Sequence, residues 1–320
     1  MLKKNMSDVK NHTKKKTILL TGCAGFIGSQ ILKNLIDKFY IIGIDDLSTG
    51  TKKNLIKNKK FKFIKGNCCN QNVLKKIDDS IDAILHFAGQ SSGEKSYNNP
   101  INDFDRNLKS TVNLLEFAIK NKCKQFIFAS SMSVYGNCKH KVNEIKKKNP
   151  ISFYGISKST SEEYIKKYNS KGLNYTILRL FNIYGKDQRL GDLKQGMIRI
   201  YLTQIFKNKK LIVKGNKNRF RDFLNILDLL EYINLILFNK KTYNEILNIG
   251  TGKKYKILQL INILKKNSRF KFSVNYTKGT IDDQFGIIPN INKIKKITGY
   301  SPKITLEMGI KEMLKSNLYS

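Results

Sequence analysis

The chain has 320 residues, a formal net charge of +36 and 40% hydrophobic residues, enough apolar content for a sizeable core in one large or two interleaved domains. No apolar run approaches a membrane span, and the Lys-rich stretch 1–16 lacks the apolar segment of a secretory signal, so it reads as a disordered basic tail. The five cysteines, odd in number and without paired ligand spacing, suit a reduced, cytoplasmic setting; the three histidines join no cysteine or carboxylate set, so no metal site is expected.

The positive charge is nearly all lysine and is spread along the whole chain among Asn and Ile. With no zinc-finger or aromatic RNA-reading motif, we expect no specific nucleic-acid partner, only salt-sensitive sticking. Arginine behaves differently. Of seven arginines, five (Arg179, Arg189, Arg199, Arg219, Arg221) fall between 179 and 221. Where lysine is the default cation, a fork-shaped guanidinium is kept for its geometry, and the cluster marks an anion site for phosphate oxygens.

The first strand, from residue 17, runs into Thr21-Gly22-Cys23-Ala24-Gly25-Phe26-Ile27-Gly28, and a helical pattern follows over 29–38. A strand, three glycines spaced three apart and a helix start form a pyrophosphate cradle. Gly22 allows the tight turn, Gly25 the approach of backbone to phosphate, and Gly28 the packing of helix on strand. The second strand, 40–44, ends at Asp45, about twenty residues beyond the glycine turn, where a carboxylate accepts from both ribose hydroxyls of NAD and repels the extra phosphate of NADP. Short strands follow at 61–64, leading to Gly66-Asn67-Cys68, and at 81–86, opening into Phe87-Ala88-Gly89. Over 101–120 the residues Ile101, Phe104, Leu108, Val112, Leu115 and Ile119 recur at helical spacing, an apolar stripe expected in the core, with Asn107 off it.

A fifth strand, 125–129, leads into Ser130-Ser131-Met132-Ser133-Val134-Tyr135-Gly136; a helix opens at 152–158, and a sixth strand, 175–180, has Phe181-Asn182 at its mouth. Strands and helices alternating through short turns predict an α/β, Rossmann-like, doubly wound parallel sheet over 17–185. Beyond 185 the pattern loosens. We expect helix and loop over 186–215, a helix over 228–238, a strand near 245–250 returning to the sheet, and a short strand at 270–275. Residues 186–320 would form mainly a smaller, interleaved substrate-binding lobe. Tyr154 and Lys158 lie four apart and share one helix face. An ammonium beside a phenol of reference pKa about 10, with a cationic nicotinamide above it, is expected to pull that pKa toward neutrality so that the tyrosine serves as a base.

Together these segments resemble the extended short-chain dehydrogenase/reductases, in the NAD-dependent nucleotide-sugar epimerase/dehydratase group that includes UDP-glucose 4-epimerase. The resemblance rests on the glycine turn, Asp45-Asp46-Leu47-Ser48-Thr49-Gly50, His86-Phe87-Ala88-Gly89, the Ser130–Gly136 stretch and Tyr154-Gly155-x-x-Lys158. It continues through Arg179-Leu180-Phe181-Asn182-x-Tyr184-Gly185, Arg221-Asp222-Phe223 and Asn248-Ile249-Gly250-Thr251-Gly252. It implies an NAD site of Gly22, Gly25, Phe26, Ile27, Gly28, Asp45, Thr49, Gly50, Asn67, Cys68, Phe87, Ala88, Gly89, Asn107, Tyr154, Lys158 and Phe181. Asn67 stands where the family usually has Asp at the adenine. Ser131 would bond the reacting sugar hydroxyl, Tyr154 would be the base, and Lys158 the ribose anchor and pKa-lowering charge. Asn182 and Arg221 would hold the diphosphate of a nucleotide sugar.

All members begin by oxidising the 4-hydroxyl, and the 4-keto sugar is the branch point. Dehydratases carry an acid/base carboxylate pair at the two positions before Val-Tyr-Gly, and related decarboxylases a Glu at the second. Here these are Met132 and Ser133, which disfavours elimination. The implied function is 4-epimerisation of a nucleotide sugar, a UDP-sugar being expected, with NAD regenerated in each turnover. Another 4-keto-sugar enzyme (dehydratase, reductase or decarboxylase) and a non-catalytic nucleotide-binding protein are the alternatives. Thr280 and Pro289-Asn290 replace the family's frequent Arg and Ala-Asp, leaving the nucleotide open. The helices near 101–120 and 155–169 occupy positions that pair in related dimers, so a homodimer is expected.

Overall fold

The computed structural model describes residues 15–138, 140–188, 196–279 and 284–316. The greater part of the basic tail, Arg189 and Thr280 lie outside the described residues. The first half of the chain forms β1 (Thr17–Thr21), α1 (Phe26–Leu35), β2 (Tyr40–Asp45), β3 (Phe61–Lys65), α2 (Gln71–Leu74), β4 (Ala83–His86), α3 (Gly93–Asn98), α4 (Pro100–Phe104), α5 (Ser110–Lys120), β5 (Gln125–Ser131), α6 (Phe153–Tyr168) and β6 (Tyr175–Leu180). The second half adds β7 (Ile183–Tyr184), α7 (Met197–Asn208), β8 (Lys210–Lys214), β9 (Phe220–Arg221), β10 (Leu224–Asn225), α8 (Ile226–Ile236), β11 (Glu245–Ile249), β12 (Tyr255–Lys256), α9 (Ile257–Asn267), β13 (Ser273–Thr277), α10 (Asn292–Thr298) and α11 (Leu306–Ser316).

Seven strands form one parallel sheet in the order β11-β6-β5-β4-β1-β2-β3. The strands are apolar on both faces because helices cover both. Ile18, Leu20, Ile31, Leu32, Leu229 and Ile233 share one buried layer with α1 and α8. Leu19, Ile84, Leu114, Phe126, Phe128 and Ile165 share the other with α5 and α6. From β1 the chain winds outward through β2 and β3, then returns to place β4 on the other side of β1. That reversal opens a crevice at the carboxyl ends of β1 and β4, the usual ligand position in such sheets. A third apolar cluster, built from α7, β8, α9 and α11, is the core of a smaller lobe.

Several boundaries differ from the sequence-based expectation. Helix α1 begins at Phe26, directly at the glycine turn, and α8 at Ile226, capped by the Asn225 side chain accepting from the Leu227 N–H. Strand β5 continues to Ser131 because Ser130 and Ser131 pair with Arg179 and Leu180. Strand β13 starts at Ser273 rather than 270, since Ser268 and Phe270 form a local turn and the ring of Phe270 packs edge-on against Phe206. Residues 197–208 and 210–214 form a helix and a strand where helix and loop were expected, and β8 pairs in parallel with β13.

The largest departure concerns 100–120. The helix is interrupted by a π-turn over Asp105–Lys109, and the face turned inward there is polar: Asp103, Asn107, Ser110 and Thr111 are buried. The first half of the expected core stripe points out instead, with Ile101 72% and Phe104 48% exposed; only further along does it reach the core, at Leu115. Periodicity locates an apolar face but does not say what covers it. Here the inner face meets the polar face of α6, and hydrogen bonds rather than apolar contact satisfy the junction.

Candidate active site

The crevice at the β1/β4 switch point is a cleft of ≈ 380 Å³. At one end lies the glycine turn. Gly22 has φ +74°, and a Cβ there would fall 2.7 Å from the Ala88 nitrogen. A Cβ on Gly28 would fall 2.0 Å from the Gly22 carbonyl oxygen, so helix and turn pack backbone to backbone. The first turn of α1 has no side-chain cap, which leaves amide donors facing the cleft. Asp45, at the end of β2, accepts from the Ala24 N–H (2.9 Å) and the Leu47 N–H (2.8 Å) through different oxygens. A carboxylate offers about four acceptor sites, so acceptor capacity is left for a hydroxyl ligand.

Gly22, Gly25, Phe26, Ile27, Gly28, Asp45, Thr49, Asn67, Cys68, Phe87, Ala88, Gly89, Ser131, Tyr154, Lys158 and Asn182 all line this one cleft. Gly50 sits behind it, where a Cβ would meet the Ala24 backbone at 2.7 Å. Asn107 is buried beneath Gly89, its Oδ1 2.6 Å from the position of a Cβ on that glycine. Phe181 departs from expectation: its ring is fully buried with Val134, Tyr135, Val142 and Ile287, because the main chain at Phe181 bonds to Ile249 and turns the side chain into that cluster. Arg221 also lies off the cleft lining. Its guanidinium donates to the carbonyls of Phe220 (2.8 Å), Phe285 (3.2 Å) and Gln284 (2.6 Å). From the arginine cluster, Arg199 is the described member that lines the cleft, while Arg179 is paired with buried Glu162 at 2.7 Å.

Sequence reading missed several lining residues. Arg106 bridges Asp46 (3.0 Å) and Ser48 (2.9 Å) beyond the end of β2. Ser110, Gln188 and Gly196 come from three separate segments and carry no local signature, whereas Ser133 belongs to the stretch before Val-Tyr-Gly and Arg199 to the arginine cluster.

At the other end Ser131, the last residue of β5, donates to the Ser133 hydroxyl (3.2 Å), accepts from the Ser133 N–H (3.1 Å) and is hydrogen-bonded to Tyr154. Lys158 donates to the Ala129 carbonyl at 2.9 Å and stands 4.6 Å from the centroid of the Phe128 ring. The expected fall in the Tyr154 pKa is not present in the protein alone. Burial pushes the phenol up to about 12, the Ser131 hydrogen bond lowers it in part and the Asp103 carboxylate raises it further. Desolvation dominates, and Lys158 is not among the groups that lower it. The activating charge therefore has to include a ligand's.

Burial also lowers Lys158 from 10.5 to about 8, against Asp103 and Glu162, which pull it up. A base with a depressed folded pKa costs stability wherever it is charged, and the cost disappears once the unfolded chain is neutral too. Lys158→Met should thus stabilise the fold by up to about 3 kcal/mol at pH 7, falling below about 1 kcal/mol at pH 10. Urea denaturation at both pH values measures this, and an equal gain at both would refute the assignment of the cost to the buried ammonium.

The model of the NAD dependent epimerase/dehydratase family matches residues 18–250. A Methanocaldococcus jannaschii protein provisionally named UDP-glucose 4-epimerase is 38% identical over 302 residues, covering 93% of this chain and 97% of that protein. The crystal structure of Thermotoga maritima UDP-glucose 4-epimerase with UDP-glucose superimposes with a TM-score of 0.89 at 31% identity, covering 95% and 99% of the two chains. Thermus thermophilus UDP-glucose 4-epimerase in complex with NAD gives 0.86 at 25% identity, covering 94% and 98%. The chain belongs to the NAD-dependent epimerase/dehydratase family. Its glycine cradle, the Asp45 acceptor and the unpartnered buried Oδ1 of Asn107 fit NAD as its cofactor.

Proposed function

We propose that the chain is an NAD-dependent nucleotide-sugar 4-epimerase acting on a UDP-sugar through a transient 4-keto sugar. The observation that carries this reading is the composition of the cleft. Ser131, Tyr154 and Lys158 converge at one end, and the two positions before Val134 line it as Met132 and Ser133. Its described lining has carboxylates only at Asp45 and Asp46, beside the glycine turn, so no carboxyl group described at the sugar end can protonate a departing 6-hydroxyl.

Backbone at Gly22, Gly25 and Gly28 would hold the pyrophosphate, Asp45 the adenosine ribose, Asn67 and Cys68 the adenine, and Lys158 the second ribose. Bound NAD supplies the acceptor for the C4 hydride, its return to the opposite face, and a positive charge beside the phenol. Tyr154 takes the C4 hydroxyl proton and gives it back, Ser131 orients that hydroxyl, and the Lys158 ammonium favours the phenolate. Asn182 and Arg199 hold the diphosphate, with Arg221 supporting the loop at Gln284 from behind. The described residues between 186 and 316, apart from α8, β11 and α10, form the lobe that grips the nucleotide. Incubation with UDP-glucose, UDP-galactose and their N-acetyl forms, with no added NAD, should interconvert the 4-epimers without net NADH formation. A panel without epimer product, or one accumulating a 4-keto sugar, overturns the reading.

The same reading includes a homodimer in a reducing, cytoplasmic setting, supported by five free thiols and by the exposed apolar side chains of two neighbouring elements. Ile101 (72%) on α4 and Phe153, Ile156 and Tyr164 at helical spacing on α6 remain uncovered within one copy. A second copy would bury them as a helix bundle. Light scattering should give twice the chain mass, and Ile101→Glu with Ile156→Glu should return it to one.

A further inference from the structure

We propose that Asp103, which lies beneath the cleft and does not line it, is a positioning residue that sets the direction of Asn107 and Gln90 and so determines where the cofactor's ribose hydroxyls are received. This rests on the NAD-dependent reading above. Asp103 is wholly buried on α4. Its Oδ1 accepts from the side-chain amides of Gln90 (2.8 Å) and Asn107 (2.9 Å), and its Oδ2 accepts from the Ser157 hydroxyl (2.7 Å). Four segments meet there: the loop after β4, α4, the π-turn and α6. Three donors converging on two oxygens are the pattern of an ionised carboxylate, even though burial pushes its pKa up.

The consequence lies at Asn107. A carboxylate accepts only, so the amide nitrogen of Asn107 must face Asp103 and its Oδ1 must face away. That oxygen is buried without a partner. It lies 2.6 Å from the position of a Cβ on Gly89, and the same position is 3.6 Å from Lys158 Nζ. An acceptor and an ammonium therefore lie on the side of Gly89 where a side chain would stand, a pairing suited to a hydroxyl bound beside that glycine that donates to one and accepts from the other. A buried acceptor left unmatched in the protein is matched by the ligand that fills the site. Gln90, held by the same Asp103 oxygen and bonded to the Ser92 main chain (2.8 Å), carries the device toward the sugar end of the cleft. The π-turn supports it: the Asn107 carbonyl accepts from Thr111 (2.5 Å) and Ser161 (3.2 Å), so that carbonyl is committed and the side-chain oxygen is the acceptor left for a ligand.

The test is NAD dissociation, followed by exchange of isotope-labelled NAD without sugar nucleotide, in Asp103→Asn, Asn107→Ala and the double variant. Asp103→Asn should speed NAD release about tenfold or more and lower kcat more than it changes KM for the sugar nucleotide. The double variant should release NAD no faster than Asn107→Ala alone, because one residue acts through the other. Additive effects, or NAD release unchanged in Asp103→Asn, overturn the proposal. If Asp103→Asn fails to fold, Ser157→Ala removes one of the three bonds and should move NAD release in the same direction by a smaller factor; no movement also overturns it. A wild type that binds NAD without epimerising any sugar refutes the functional reading while this test still stands. A wild type that epimerises while its Asp103 variant releases NAD normally refutes this inference alone.

Discussion

Replacing Tyr154 with Phe should cut epimerase turnover by about 10³-fold, within the 10²–10⁴ range of a positioned acid/base group, and leave NAD retention and thermal stability close to wild type. The hydroxyl is the single atom removed. It is hydrogen-bonded to Ser131 in the cleft wall, while the ring of this nearly buried side chain stays packed. The effect should be large because the phenol is the proton acceptor of the proposed step, and the carboxylates of the described cleft, Asp45 and Asp46, lie beside the glycine turn rather than beside Ser131. Single-turnover formation of bound NADH on adding UDP-glucose isolates the oxidation step, and should be lost in parallel with turnover. Full turnover in Tyr154→Phe would end the enzymatic reading at this site.

Glu162→Ala should destabilise the fold by about 3–5 kcal/mol, the cost of leaving one partner of a buried ion pair unmatched. Both Glu162 oxygens are occupied: Oε1 accepts from Ser130 (2.6 Å) and Arg179 Nε (2.9 Å), and Oε2 from Arg179 Nη2 (2.7 Å) and Lys148 (3.4 Å). Its side chain is fully buried and that of Arg179 is 3% exposed. The glutamate holds the Arg179 guanidinium well above its ordinary pKa despite burial. Without it, a charged arginine remains in the dry space behind β5, with the Tyr135 ring 4.7 Å away and the Glu144 carbonyl at 3.0 Å as remaining contacts. Because Ser130 precedes Ser131 on the same strand, residual activity should fall as well. Urea midpoints of Glu162→Ala and of a Glu162→Met/Arg179→Met pair measure the effect. The double replacement should recover much of the loss, whereas equal loss in both would show that packing, not charge, is responsible.

Much of this architecture is legible along the chain. Apolar runs of strand length, the glycines at 22, 25 and 28, and Asp45 at a strand end are local signals, since backbone freedom and side-chain alternation depend on near neighbours. The Tyr154–Lys158 spacing is likewise settled by one helical turn. What the chain order does not contain is which faces meet. The polar side of 100–120 packs inward because α6 presents Ser157 and Ser161 to it, and the apolar side is left at the surface. Arg221 turns to main-chain carbonyls and Arg199 lines the cleft, although both belong to one sequence cluster. The sign of the Tyr154 shift reverses for the same reason. Thus the residues and their spacing by themselves determined the parallel sheet, the phosphate cradle and the chemical groups available. Burial and partner choice, and with them the pKa of the phenol and the aim of Asn107, were decided only by the tertiary structure, because desolvation depends on what packs against a group in space, not on what adjoins it in sequence.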